Sequence, residues 1–254
     1  MASQGTGYDL SSSTYSPDGR IFQIEYALKS VDQSGTVLAI KTSDGGVVVA
    51  VEKLVATKLQ VPGTNRRCMG VDRHAGLVTA GLVADGNHLA GRAREEARAW
   101  RDTYRFPAPV KALANRTSLY MHAFTLYSSV RPFGLSALLF GRDPELGAQL
   151  YLIDPSGSYH GYRGAALGKG RQLAKTEIEK LDLDTLTLDQ AVKEAARIVY
   201  KCHDENKDKD FELEMAWVGP KTKGGKGEVE IVPKDVQGEA ERLAKEALDA
   251  DMED

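Results

Sequence analysis

The chain has 254 residues, 42% of them hydrophobic, with 33 basic against 36 acidic side chains for a net charge of −3. A chain of this size buries roughly 70–75% of its unfolded surface around one core, and no Pro- or Ser-rich linker divides it, so a single large domain is expected. Interspersed charge without a basic stripe argues against a general nucleic-acid binder, the apolar runs fall short of a membrane span, and residues 1–7 hold no signal-peptide core.

Residues 2–13 are rich in Gly, Ser and Thr and are expected to be mobile unless a neighbour orders them. Ser16-Pro17-Asp18-Gly19 is a turn sequence, in which proline presets the bend and glycine accepts positive φ. Ile21, Ile24, Leu28 and Val31 then recur at helical spacing, with Phe22 and Tyr26 on a neighbouring ridge. Two short apolar strands, 36–40 and 47–51, flank Ser43-Asp44-Gly45-Gly46 as a hairpin. Residues 75–83 read as a further strand pair or strand end. Leu89, Ala93, Ala97 and Trp100 share one helical face, and Pro109 opens a helix whose stripe runs Leu113, Ala114, Thr117, Tyr120, Met121, Phe124, Tyr127. Strands follow at 135–140 and 149–153, the second turned back by Asp154-Pro155-Ser156-Gly157 toward Tyr159 and Tyr162. Helices at 169–181 and 187–202, strands at 211–218 and 228–232, and an amphipathic helix after Pro233 complete the chain. Hairpins alternating with pairs of helices predict two stacked antiparallel sheets with helices on the outer faces, an α+β arrangement.

The segment Tyr15-Ser16-Pro17-Asp18-Gly19-Arg20-Ile21-Phe22-Gln23-Ile24-Glu25-Tyr26-Ala27 closely resembles the N-terminal signature of proteasome alpha subunits. Val51-Glu52-Lys53, Gly81-Leu82-Val83-Ala84-Asp85, Arg131-Pro132-Phe133-Gly134 and Ile153-Asp154-Pro155-Ser156-Gly157 resemble the family too, in the expected order, so the likeness covers nearly the whole chain. Tyr8-Asp9-Leu10, residues 174–181 and the acidic C-terminus are most similar to the type-3 branch. The resemblance implies a four-layer αββα sandwich, the N-terminal nucleophile hydrolase-like fold in a catalytically inactive form. One domain would span 15–248, between a mobile gate tail at 1–14 and an acidic tail at 249–254. It further implies a place in the heptameric outer ring of the 20S core, beside other alpha subunits and against beta subunits. Regulatory-particle ATPase tails and other activators would dock there, unfolded substrate would pass through, and the setting would be cytoplasm and nucleus.

The beta relatives hydrolyse peptides with an N-terminal threonine whose own α-amine is the base. Gly35-Thr36 looks superficially like such a junction, which would make residues 1–35 a propeptide and Thr36 the nucleophile. Against this, aligning Leu38-Ala39-Ile40-Lys41 with the beta pattern puts Gly35 at the nucleophile position, Glu52 near the catalytic aspartate and Arg66 at the catalytic lysine. A guanidinium stays protonated and cannot relay a proton as an amine can. Thr36 is therefore read as a strand residue, and no catalytic residue is expected.

Neither cofactor nor metal is expected. Gly164–Gly170, GAALGKG, has one residue too few for a phosphate-cradling loop and no hydroxyl after its lysine, so it reads as a strand end and helix start. Residues 223–227 read as a hairpin tip. His74, His88, His122, His160 and His203 are scattered without ligand spacing, and Cys68 and Cys202 neither join them nor make a disulfide framework.

Tyr8, Asp9, Pro17 and Tyr26 match the family's gate-organising cluster. In that role Pro17 fixes the turn that swings the tail, the tyrosines supply rings and hydroxyls, and Asp9 is a charged acceptor for a neighbouring tail. The plainer reading is that Pro17 and Tyr26 pack the helix entry. Leu10 stands where many family members have arginine, which removes that arginine's ion pair. Arg67 matches the lysine that pairs with the carboxylate of an activator tail; the charge survives, as a planar fork in place of a point ammonium.

Overall fold

The computed structural model describes residues 7–55, 57, 59–203 and 210–253. Helix α1 (Phe22–Asp32) leads into β1 (Val37–Lys41), β2 (Val47–Leu54), β3 (Cys68–Asp72) and β4 (Ala75–Gly81). Helices α2 (Val83–Tyr104) and α3 (Val110–Ala123) follow, then β5 (Leu135–Asp143), β6 (Gly147–Ile153), β7 (Tyr159–Gly161) and β8 (Gly164–Leu167). After α4 (Arg171–Glu179) and α5 (Leu188–Cys202) come β9 (Phe211–Val218), the single turn α6 (Thr222–Gly225), β10 (Glu230–Ile231) and α7 (Lys234–Glu253).

The strands form two antiparallel five-stranded sheets, ordered β10-β9-β2-β1-β8 and β3-β4-β5-β6-β7. Side chains alternate across a strand, so each strand serves two layers at once. In β1 and β2, Leu38, Ile40, Val48 and Ala50 pack against α4, α5 and α7, while Val37, Ala39, Val47 and Val49 face the other sheet. There they meet Val78, Leu138, Phe140 and Leu150. The opposite faces of β4, β5 and β6, through Leu77, Leu135, Leu139 and Ile153, meet Leu89, Ala93, Leu113 and Met121 of α2 and α3. This is the four-layer αββα sandwich. Because both faces of each sheet are covered, the central strands read as continuous apolar runs without polar alternation.

Most elements stand where the periodicity places them, and the departures have local causes. Strand β3 escapes sequence reading because it is a short edge strand with one buried face, interrupted by Gly70 and shifted in register between Gly70 and Asp72. Strand β4 ends at Gly81, short of residue 83, because that glycine sits at φ +119° and the chain turns directly into α2. An added Cβ at Gly81 would lie 2.3 Å from the Gly134 carbonyl oxygen, so the turn and close approach both need glycine. The stripe on α3 stops at Ala123, leaving Tyr127 outside the helix and 61% exposed. Helix α7 continues to Glu253, through most of the acidic segment expected to be a separate tail.

The family-like motifs prove to be mutual fasteners. Both Arg131 Nη atoms donate to the Asp85 carboxylate at 2.7 and 2.8 Å, the Gly134 N–H donates to Asp85 Oδ2 at 2.9 Å, and the Leu82 N–H donates to Gly134 O at 2.9 Å. The Arg131 guanidinium holds the Asp85 carboxyl below its usual range against the opposing effect of burial. The Asp154–Gly157 turn is closed by a Gly157 N–H to Asp154 O bond and lies against α3, where His122 Nδ1 meets Ser156 O at 3.0 Å.

On the other outer layer, Glu177 of α4 has a side chain only 4% exposed and accepts from Lys180 Nζ at 2.7 Å and Arg197 Nη1 at 3.0 Å, with Lys201 Nζ at 3.5 Å. The Lys180 bond first, and then Arg197, bring its carboxyl down to about 2 despite burial. A carboxyl whose folded pKa is depressed stabilises above its unfolded pKa and loses that contribution as pH falls toward the folded value. Glu177→Gln is therefore expected to cost about 2 kcal/mol at pH 7, discounted for partners that reach solvent. Denaturant melts should show this difference shrinking as pH falls from roughly 4.5 toward 2; a difference constant with pH would contradict the assignment.

Candidate functional site: an N-terminal anchor and a cleft at Arg67

Residues 15–27 fold into a turn and a helix start that are fastened internally. The Ser16 N–H donates to Arg20 O and the Gly19 N–H to Ser16 O, both at 2.9 Å, with Pro17 inside this loop. Arg20 forms a two-point ion pair with Glu25 and lies 4.8 Å from the Phe22 ring centre. The segment preceding the turn is tied to α1: Tyr26 OH donates to Asp9 Oδ2 at 3.1 Å, and Gln23 Nε2 donates to the Asp9 carbonyl. Burial, and then the bond to Asp9, push the Tyr26 phenol above its ordinary value. Asp9 and Tyr26 are thus brought together, while Pro17 shapes the turn and Tyr8 is left 41% exposed. Gln23, whose amide grips the backbone of residue 9, was not among the expected cluster; a neutral polar side chain on a helix gives no sequence signal of such a contact. Leu10 is 89% exposed.

A cleft of about 330 Å³ opens between the end of α1, β2 and the end of β4, lined among others by Ser34, Gly35, Glu52, Asn65, Arg67 and Thr79. Arg67 is anchored at its base: Nη1 donates to Gly81 O at 2.8 Å, and its backbone N–H donates to Glu214 Oε2 at 3.0 Å. The Cys68 N–H takes the other Glu214 oxygen at 3.2 Å, and Lys53 Nζ stands 3.4 Å from Glu214 and 3.1 Å from Glu212. Burial pushes the Arg67 guanidinium below its ordinary value and the Glu214 charge opposes this; an arginine remains a cation under any such shift.

Two of the positions compared with the hydrolytic pattern, Gly35 and Glu52, line the same cleft. Gly35 lies so close to β2 that an added Cβ would stand 2.1 Å from Glu52 O, which leaves no place for a nucleophilic side chain. Thr36 is fully buried, its N–H donating to Glu52 Oε2 at 2.8 Å and its carbonyl accepting from the Glu52 N–H at 2.8 Å. Arg66, aligned to the catalytic lysine, lines a different groove with Lys53, Glu212 and Glu214. The cation sharing the cleft with Gly35 and Glu52 is Arg67. Lys169 of the GAALGKG run directs its ammonium to Glu52 Oε1 at 3.7 Å, and that run forms β8 and the entry to α4.

Comparison with known proteins gives one family. The family model for proteasome subunits matches residues 31–218, and the one for the N-terminal signature of A-type proteasome subunits matches residues 8–29. Proteasome subunit alpha type-3 of Arabidopsis thaliana is 53% identical over 249 residues, 98% of each chain. The Dictyostelium discoideum protein of the same name is 51% identical over 253 residues, covering 99% of this chain and all of the relative. A probable proteasome subunit alpha type-7 of Schizosaccharomyces pombe is 48% identical over 254 residues, all of this chain and 98% of the relative.

Proposed function

The chain belongs to the proteasome subunit family, in its alpha branch, and from that membership we propose that it builds the outer ring of the 20S core without catalysing hydrolysis itself. The observation that supports this best is Gly35: the nucleophile position has no side chain and no room for one beside Glu52 O. Its partners are the neighbouring alpha subunits and the beta subunits below them. Helix α1 suits a ring contact, since Ile24 and Leu28 of its apolar stripe stay only partly buried within the chain.

In this reading the tail before Tyr15 shares in closing the axial pore, with Asp9, Tyr26, Pro17 and Tyr8 setting its base, and residues 15–248 are the ring-building domain. The cleft at Arg67 receives the terminal carboxylate of a regulatory-particle ATPase tail or another activator, the guanidinium supplying a fixed cation at the cleft floor. Among the described residues no helix is long and apolar enough to cross a membrane, and cytoplasm and nucleus are the proposed setting.

Expressed with an affinity tag in cells, the chain should elute in an assembly of very large mass and bring alpha and beta proteasome subunits with it. Recovery as a stable monomer or simple dimer would contradict the assignment.

A further inference from the structure

The charges of the chain nearly balance, but one helix face departs from that balance. Arg94, Arg98 and Arg101 follow at i, i+4 and i+7 on α2 and form a row along the helix beside β3. Arg101 is engaged, its Nη2 donating to Asp72 at 2.6 Å. Among the described residues, Arg94 makes one bond, from Nε to Gly70 O at 2.8 Å. Arg98 meets Asp102 at 3.8 Å and keeps 86% of its side chain exposed. Strand β3 is the outer strand of its sheet, and it borders a cavity of about 430 Å³ between the ends of the two sheets. Met69, Phe140 and Ile231 give that cavity an apolar lining. Arg66 and Lys223 line it too, and neither has an ion pair among the described residues. Its carboxylate, Glu230, is taken up by Trp217 Nε1 and the Lys223 N–H, both at 3.0 Å. Gly70 joins the two features, since it lines the cavity and its carbonyl holds Arg94.

Two glycines mark this edge. Gly91, one turn before Arg94 on α2, and Gly70 on β3 have no atom within 4 Å of the place a Cβ would occupy, and neither takes left-handed backbone. Glycine weakens a helix or strand interior, and here no turn and no tight internal contact calls for it. Such a glycine marks a place where another backbone comes close.

We propose that this edge, from the Arg66–Lys223 cavity across Gly70 to Arg94 and Arg98, binds an extended acidic segment of a partner protein. Its carboxylates pair with the guanidinium forks, and an apolar side chain enters the cavity. Charge complementarity and the apolar lining together select this occupant. A nucleic acid fits less well, because Glu95, Asp102 and Glu230 interrupt the continuous basic stripe that phosphates need. The cavity shares no lining residue with the Arg67 cleft, so the proposal stands apart from the reading of that cleft.

The test uses the full chain and a short fluorescein-labelled peptide that alternates glutamate with leucine. Binding is read by fluorescence anisotropy at low salt, where exposed charges are least screened. Arg94→Glu combined with Arg98→Glu should weaken binding about tenfold, and Arg66→Glu combined with Lys223→Glu should do the same. Gly91→Leu should melt at the same or a higher temperature, because leucine suits a helix and meets open space within the chain. It should nevertheless bind about tenfold more weakly, by obstructing the partner's backbone. A purely structural role for the glycine would not give that combination. No binding by the wild-type chain, equal binding of a lysine–leucine peptide, or variants at wild-type affinity would overturn the proposal. So would a single-stranded RNA oligonucleotide that binds more tightly than the peptide and displaces it, which would make the edge a phosphate site.

Discussion

Core particles assembled with a chain lacking residues 2–9 are expected to hydrolyse small peptides roughly three- to tenfold faster than intact particles in the absence of any activator. The deletion removes both the segment proposed to lie over the pore and Asp9, whose carboxylate and carbonyl are held by Tyr26 and Gln23. A gate is a two-state element, and moving it from mostly shut to mostly open takes on the order of 5 kcal/mol. One hydrogen bond to a charged group contributes about 1.5–3 kcal/mol, so Asp9→Ala should raise the basal rate by less than the deletion. Because Leu10 carries no charge, this tail's hold rests on Asp9 more than on an ion pair at position 10. Basal hydrolysis of a fluorogenic peptide, compared at equal particle concentration, measures both. An unchanged rate in the deletion would remove the tail from the gate.

The second large effect is on the fold. Gly35→Ala is expected to destabilise the chain by about 3 kcal/mol, the upper range for forcing an extra methyl into a filled site. The new Cβ would stand 2.1 Å from Glu52 O, a backbone atom fixed by the β1–β2 ladder and by the Glu52 N–H to Thr36 O bond. A rigid backbone neighbour cannot swing aside as a side-chain tip can, so relief requires the two strands to separate. For a domain of this size the melting temperature should fall by roughly 6–12 °C, with a parallel loss of incorporation into particles. Gly35→Thr meets the same obstruction, so restoring the hydroxyl of the beta relatives should yield no hydrolysis. A melting temperature unchanged within about two degrees for Gly35→Ala would contradict the close packing that excludes a nucleophile here.

The layered fold was legible because burial on both sheet faces writes long apolar runs into β1, β2 and β5, and because α5 keeps its period from Leu188 to Cys202 behind a Thr187 cap that the structure closes as a capping box. The N-terminal turn and helix were legible in the same way, from Pro17, Gly19 and helical spacing. Edges were harder. Strand β3 is broken by Gly70, β7 has three residues, and β10 has two where five were expected, so none offers a full period to read.

Of the candidate site, the identities of Asp9, Tyr26 and Arg67 could be matched to family motifs, but their supports could not. Glu214 lies 147 residues from Arg67, and Asp85 lies 46 from Arg131; no local pattern reports a contact made by folding. The same distance hides the His203–Glu52 bond.

Intact-mass measurement of the chain taken from assembled particles, after exposure to a threonine-directed covalent inhibitor, tests most directly whether this subunit is structural. The expected result is a polypeptide that still carries residues 1–35, apart from ordinary trimming at the initiator methionine, with no added inhibitor mass. A chain beginning at Thr36, or one bearing the inhibitor there, would contradict it.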